Sequence, residues 1–335
     1  MVEPSRINLA VLFFSVLGIA GFGSWLITRF STVLGFVDYP EARSSHVVPT
    51  PGSGGIGIAL AIVGAAVILD ISTWFWASAA GMAMLGFCDD RLELSARFRL
   101  FVQAVFALIM ILPLVGGSEG WWYLIPAGAI YIVGTANFFN FMDGVNGMAG
   151  FSGTVAFSLL AFFAIFSGDA QMLSPFMLCV VGACLGFLPF NFPRASVFMG
   201  DVGSLLLGSV FAGSVLLLTS NPEDFLVMNG FMLPFYVDTV STLVIRWCKG
   251  EKITEAHRKH LYQILANEFK IPHWRVTLIY ILCQLLTGLL MLAALGSHWW
   301  FHVLLIAAMT ATFLTASLRL RKKASTLVCG GPVPR

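Results

Sequence analysis

Nearly all of the unusual polar residues in this 335-residue chain fall in five short segments. They are Asp38–His46 running into Pro49–Gly55, Asp89-Asp90 with Arg97 and Arg99, Asn137–Gly147, Met199–Ser204, and His257–Gln263. Asp89 and Asp90 are adjacent, while Asp143 and Asp201 lie in separate segments, so three carboxylate sites are available to converge. The donors around them, Asp, Asn and Ser, are all oxygen ligands, which suits a hard divalent cation, Mg²⁺ or Mn²⁺, over zinc. The plain alternative for each Asp is helix capping, since Asp201 precedes an apolar run and Asp143 precedes a Gly-rich turn. Convergence of all of them is what favours a metal.

Asn137, Asn140 and Asp143 are spaced three apart, which keeps them within one ~120° arc of a helix. Two amides and a carboxylate on one face suit reading hydroxyls, amides or a nucleobase edge, whereas plain helix–helix hydrogen bonding is the competing role. Asn146 would face backwards, with Gly144 and Gly147 unwinding the chain beside it. Arg43, Arg97, Arg99 and Arg258 can hold phosphates through bidentate donors or serve only as membrane anchors. His257 and His260 lack a third partner for a metal, and their neighbours Arg258 and Lys259 favour phosphate contact. Gly52-Ser-Gly54-Gly-Ile-Gly57 spells G-x-G-x-x-G, but an apolar run follows it and no βαβ unit surrounds it. It is read as a flexible lead-in to that run and not as a dinucleotide loop. Asp238, deep in an apolar run, has either a functional role or a structural partner such as Asn or Arg246.

Composition sets the elements that must hold these residues. The chain is 58% hydrophobic and 11% charged, with a mean hydropathy of +0.87. A soluble domain carries about 25% charged residues, so a soluble enzyme and a disordered chain are excluded. A net charge of +2 is too small an electrostatic footprint for nucleic acid. Eleven apolar runs are close to the ~17–25 residues a membrane-crossing helix needs: near 8–28, 54–70, 73–88, 99–115, 121–139, 146–166, 173–192, 203–219, 225–246, 276–295 and 299–318. The second and third are short and are kept apart by a turn at Asp70 and Ser72. The first is read as a true span, not a cleaved signal peptide. The expected fold is an all-α polytopic membrane protein of about 11 transmembrane helices.

With the N-terminus outside, all of the 19 Lys and Arg except Arg6 fall in inner segments, as basic loops do. All five polar segments then share the cytoplasmic face, as does the C-terminus. Residues 1–320 read as a single transmembrane domain and 321–335 as a basic cytoplasmic tail, with Arg321-Lys322-Lys323 an inside-positive anchor. The six cysteines match no zinc pattern and are read as reduced thiols.

Five ordered motifs between about 35 and 265 resemble the polyprenyl-phosphate N-acetylhexosaminyl-1-phosphate transferases, a family that includes the phospho-N-acetylmuramoyl-pentapeptide transferases. They read D-Y-P-E-A-R-S-S-H with T-P-G-S-G-G; G-F-C-D-D with L-S-A-R-F-R-L-F-V-Q; N-F-F-N-F-M-D-G-V-N-G-M-A-G; F-M-G-D-V-G-S; and P-F-Y-V-D-T followed by H-R-K-H-L-Y-Q. The resemblance implies Mg²⁺-dependent transfer of a sugar-1-phosphate from a UDP-N-acetyl-amino sugar to undecaprenyl phosphate, with release of UMP. It implies a multi-pass protein of the bacterial inner membrane with a periplasmic N-terminus.

By position, Asp89, Asp90 and Asp201 match the catalytic aspartates. The first is the candidate for deprotonating or orienting the lipid phosphate, and Asp201 with Asp90 the candidates for the metal. Asn140 and Asp143 match the nucleotide-sugar site, Ser204 and His260 further site residues, and Arg99 a basic position. Asn137, Arg43, His46 and Arg258, inside these motifs, complete the expected substrate contacts. Asn146, Ser44 and Tyr262-Gln263 depart from the family pattern, which commonly has an aspartate, a lysine and further histidines there. These departures resemble the branch that initiates O-antigen or related surface polysaccharides. The rival class is a polytopic transporter or lipid flippase, but transporters bind near the midplane, often on repeated halves, and here the charged clusters share one face. Membrane lipids are the expected surroundings, and small residues such as Gly182 and Gly186 could pack helices within one chain or across a homodimer.

Overall fold

The computed structural model describes residues 8–40, 48–115, 124–167, 173–252, 255 and 257–329. Arg43 and His46 lie outside the described residues. The described chain forms helices α1 (Leu9–Leu34), α2 (Gly55–Ile68), α3 (Thr73–Leu92), α4 (Ala96–Val115), α5 (Leu124–Phe141), α6 (Met148–Ser167) and α7 (Leu173–Asn191). After these come α8 (Gly200–Leu218), α9 (Pro222–Gly230), α10 (Leu233–Cys248), α11 (Leu261–Asn267), α12 (His273–Ala293) and α13 (Trp299–Cys329). Two short strands, β1 (Val37–Asp38) and β2 (Thr50–Pro51), pair antiparallel with Val37 opposite Pro51.

Local signals set these boundaries. Asn8 caps α1 by accepting from the Ala10 and Val11 N–H groups, and Gly35 ends it in the left-handed conformation at φ 69°. The expected turn between the second and third runs is present. Ile68 ends α2, Asp70 adopts φ 56°, and Ser72 precedes α3.

Among the described residues eight helices are long and apolar enough to cross a membrane, or nine if the bent pair α9–α10 counts as one span. Length and composition of the described residues thus do not reach the expected count of eleven. The 14-residue α2 is too short, and α3 is not among the eight. The ninth run is not one helix, because α9 and α10 meet at an angle of 82°. Pro234 at the start of α10 and Gly230 at the end of α9 bracket the break.

The core centres on α8, whose buried face runs almost all round the helix. Small residues let its neighbours approach closely. A Cβ on Gly55 would collide with the Gly203 backbone, and one on Gly86 with the Asp201 backbone. Leu, Phe, Ile and Trp side chains of α1, α4, α12 and α13 cover the outside and are exposed, as expected for surfaces that face lipid.

From α1 to α8 the odd-numbered helices end, and the even-numbered ones begin, at the same end of the bundle. The β1–β2 pair closes α1 onto α2 there. The Gly147 N–H donates to Asn191 Oδ1 at 2.6 Å, joining the start of α6 to the end of α7. The Gly-rich lead-in is not a loose linker. Gly54 and Gly55 N–H groups donate to the Phe198 and Met199 carbonyls at 2.8 Å each, and the Phe198 N–H donates to Pro51 O at 2.7 Å. This backbone lattice seats the Met199–Ser204 segment before any side chain is considered. The described cysteines are free thiols, as expected.

Candidate active site

Four carboxylates from three parts of the chain meet at this end. Asp90, in the last turn of α3, accepts the Asp201 backbone N–H at 3.1 Å through Oδ1 and the Ser53 hydroxyl at 3.0 Å through Oδ2. Asp201, in the first turn of α8, accepts Asn140 Nδ2 at 2.7 Å through Oδ1. The same Asn140 nitrogen donates to Ser204 Oγ at 2.9 Å. Asp143 stands in the α5–α6 turn, where burial raises its carboxyl well above the usual carboxylate range, with the charges of Asp201 and then Asp90 adding to the effect. Like charges crowded in a shielded pocket call for a cation or a proton.

Arg99, at the start of α4, provides part of that charge. It forms an ion pair with Asp89 and its Nη1 lies 3.8 Å from Asp201 Oδ2. Asp89 also accepts the Leu94 N–H at 2.9 Å, so both its oxygens are engaged within the protein. Two backbone features permit the geometry. Gly200 adopts φ +72°, where a Cβ would strike Asp90 Oδ2, and Gly86 lets α3 lie directly on the Asp201 backbone.

The structure thus brings together Asp89, Asp90, Asp143, Asp201, Asn140, Ser204 and Arg99. It does not bring Asn137 into bonding with them. That amide donates to Gln103 Oε1 at 2.6 Å and to the Val133 carbonyl at 2.8 Å, tying α5 to α4 one turn behind the cluster. Asn146 turns away as expected, donating to Pro193 O at 3.2 Å and lying 3.3 Å from His273 Nδ1.

His257 and His260 precede α11, which begins only at Leu261, and their rings lie 4.8 Å apart. His260 is buried, its ring stacked near Phe141 at 6.2 Å and near Tyr262 at 5.9 Å. Arg258 is exposed on the stretch before α11. Sequence reasoning missed Ser53, whose φ of +61° is rare for a residue with a side chain. It also missed Gln103, an amide inside the apolar run 99–115 whose partner the sequence does not reveal.

Burial lowers the His260 imidazole to about 3, with the Arg321 and Arg246 charges adding to it. Burial likewise lowers His257 to about 4, with the His260 charge next. Both rings are therefore neutral near pH 7 and can meet a phosphate only as hydrogen-bond partners. A folded-state value below the unfolded ~6.5 means that protons favour the unfolded chain. The share of stability held by these two rings should be full above pH ~6.5 and shrink as the pH drops toward 4, opposite in sign to the contribution of Asp143, whose raised carboxyl favours the folded chain as protons are added. Thermal unfolding in detergent checks this by difference: the midpoint of the wild type relative to that of His260→Gln should fall as the pH is lowered across that range.

Among the described residues no group of three His, Cys, Asp or Glu side chains is arranged to hold a metal alone. Mg²⁺ commonly takes one or two carboxylates and completes its shell with substrate phosphates and water. Asp90 and Asp201 offer carboxylate oxygens of that kind, held in place by the hydrogen bonds from the Asp201 N–H, Ser53 and Asn140.

Apolar helices with one acidic, arginine-braced end describe a membrane-embedded enzyme. A family model described as Glycosyl transferase family 4 matches residues 72–219, which hold Asp89 through Ser204. The chain is 30% identical to the decaprenyl-phosphate N-acetylglucosaminephosphotransferase of Mycobacterium tuberculosis, over 78% of each chain. It is 28% identical to the probable undecaprenyl-phosphate N-acetylglucosaminyl 1-phosphate transferase of Bacillus subtilis, over 84% of each. It is 30% identical to the phospho-N-acetylmuramoyl-pentapeptide-transferase of a Nostoc species, over 77% of this chain and 78% of that one. The chain belongs to glycosyltransferase family 4, as a multi-pass membrane transferase.

Proposed function

We propose that this protein transfers a sugar-1-phosphate from a UDP-N-acetyl-amino sugar to undecaprenyl phosphate. An oxygen of the lipid phosphate attacks the β-phosphorus of the donor, the bond from that phosphorus to the bridging oxygen breaks, and UMP leaves with the α-phosphate. The observation that carries this reading is the meeting of Asp90, Asp143 and Asp201 beside Arg99 at one end of the bundle. At such an end a lipid phosphate held in the membrane can meet a water-soluble nucleotide sugar.

Both substrates are anionic, so their approach is opposed electrostatically. Bound Mg²⁺ would neutralise and template the phosphate oxygens, held by Asp201 and Asp90. Asn140 fixes the Asp201 carboxylate through its 2.7 Å hydrogen bond. Asp89 holds Arg99 beside Asp201, leaving further guanidinium donors for phosphate oxygens. Asp143 lines the same turn and is available to a sugar hydroxyl or amide, and the neutral His260 ring stacks near Phe141, two residues before it. Arg43, His46 and Arg258 remain candidates for donor contacts.

On this reading the acidic end is cytoplasmic, the N-terminus periplasmic, and the membrane the bacterial inner membrane. The basic residues sorted to that end support this. The departures at Asn146 and Tyr262-Gln263 support initiation of O-antigen or a related surface polysaccharide over a muramoyl-pentapeptide donor. The test is a transfer assay with the β-phosphate of the donor labelled. Label recovered in the lipid means phosphoryl transfer, whereas label left in UDP would mean that the sugar alone moves.

A further inference from the structure

Asp238, Tyr262 and Arg321 take no direct part in the carboxylate cluster, yet they form one connected network that ends against it. Asp238 of α10, fully buried, accepts the Leu261 N–H at 2.8 Å and the Tyr262 N–H at 3.4 Å, the first two backbone donors of α11. A seven-residue helix has little stability of its own, so a carboxylate on its orphan N–H groups is a large part of what keeps it in register. Arg321 of α13 locks that carboxylate. Its Nη2 lies 3.2 Å from Asp238 Oδ1 and donates to Thr242 Oγ1 at 2.7 Å, while Nη1 donates to the Lys259 carbonyl at 2.6 Å. The Tyr280 hydroxyl of α12 donates to Asp238 Oδ2 at 2.7 Å. Helices α10, α12 and α13 thus jointly set where α11 sits.

Tyr262 carries that placement to the site. Its hydroxyl donates to the Phe141 carbonyl at 2.9 Å, between Asn140 and Asp143 in the chain. Gly144 lies against the same ring, and a Cβ there would overlap the Tyr262 hydroxyl. One side chain therefore touches both sides of the turn that presents Asn140 and Asp143, and Asn140 in turn holds Asp201.

We propose that Tyr262 is a positioning residue for the carboxylate cluster, seating the Phe141–Gly144 turn, and that Asp238 and Arg321 hold Tyr262 in place from the far side. Removing the hydroxyl leaves the ring packing intact but releases the Phe141 carbonyl. Asn140 and Asp143 then gain freedom relative to Asp201 without loss of the fold. Only the kinetic consequence rests on the transferase reading.

The experiment uses full-length Tyr262→Phe in detergent, with two readouts. In hydrogen exchange, the peptide spanning residues 140–147 should exchange severalfold faster than in wild type, with α12 peptides unchanged at a similar thermal midpoint. In turnover, the Mg²⁺ concentration giving half-maximal UMP release should rise severalfold. A tyrosine that merely stabilised the fold would lower the amount of active enzyme and leave that half-activation point where it was. Arg321→Lys, which keeps the charge and loses the fork of donors, should loosen the same peptide and guards against a folding defect in the first variant. Unchanged exchange at 140–147 in both variants would overturn the proposal. If wild-type protein released no UMP from any donor, the transferase reading would fall, while the exchange result would still decide the positioning claim.

Discussion

Asp201→Asn should lower turnover by about a thousandfold, the equivalent of about 4 kcal/mol of transition-state stabilisation, while the protein stays folded. The asymmetry follows from what each atom does. The amide that replaces the carboxylate still offers a carbonyl oxygen where Asp201 Oδ1 accepts from Asn140, and the backbone N–H that donates to Asp90 is untouched. The negative charge is lost, and with it most of the attraction for a divalent cation between anionic substrates. Asn140→Ala, which only loosens the Asp201 carboxylate, should cost less, about 10–100-fold. Turnover per folded molecule, with thermal midpoints alongside, separates these outcomes. A fully active Asp201→Asn protein would remove the metal assignment.

Asp238→Ala should have the largest effect on stability, a loss of about 3–5 kcal/mol. The substitution strands Arg321, whose side chain on α13 is only 13% exposed, without its counter-charge. It also strips acceptors from the Leu261 N–H and the Tyr280 hydroxyl, both inside the protein. Thermal unfolding in detergent should show a midpoint many degrees lower. A change below about 1 kcal/mol, the range of an exposed pair, would mean that the carboxylate is wet and the network slack.

Asp238 also shows where the sequence could be read and where it could not. An intramembrane carboxylate signals a partner, and Arg246 lay nearest in the chain, about two helical turns along. Yet Arg246, itself buried, pairs with Glu251 at 3.1 Å and donates to the Lys252 carbonyl at 2.6 Å. The partner is Arg321, 83 residues on. Its run of three basic residues looked like a membrane anchor and a tail beginning at 321, whereas α13 continues through Cys329. Pairings across such separations leave no local pattern.

The apolar runs and the five polar segments were legible because hydropathy and residue type are local properties. The 82° break between α9 and α10 was not, since Phe231, Met232 and Leu233 keep the run apolar across it. In the site, the Asn137–Asn140–Asp143 spacing could not show that Gln103 of α4 takes Asn137 for itself while Asn140 bonds Asp201. Ser53 stayed hidden in a Gly-rich stretch that looked flexible, because its order comes from backbone pairing with Phe198 and Met199.

The most direct test of the central claim is UMP release by purified protein given undecaprenyl phosphate and a panel of UDP-N-acetyl-amino sugars, with Mg²⁺ and with chelator. Stoichiometric UMP and β-phosphate-labelled lipid from at least one donor, abolished by chelator and restored by Mg²⁺, is the expected result. Folded protein that releases no UMP from any donor, or that turns over equally well in chelator, would contradict it.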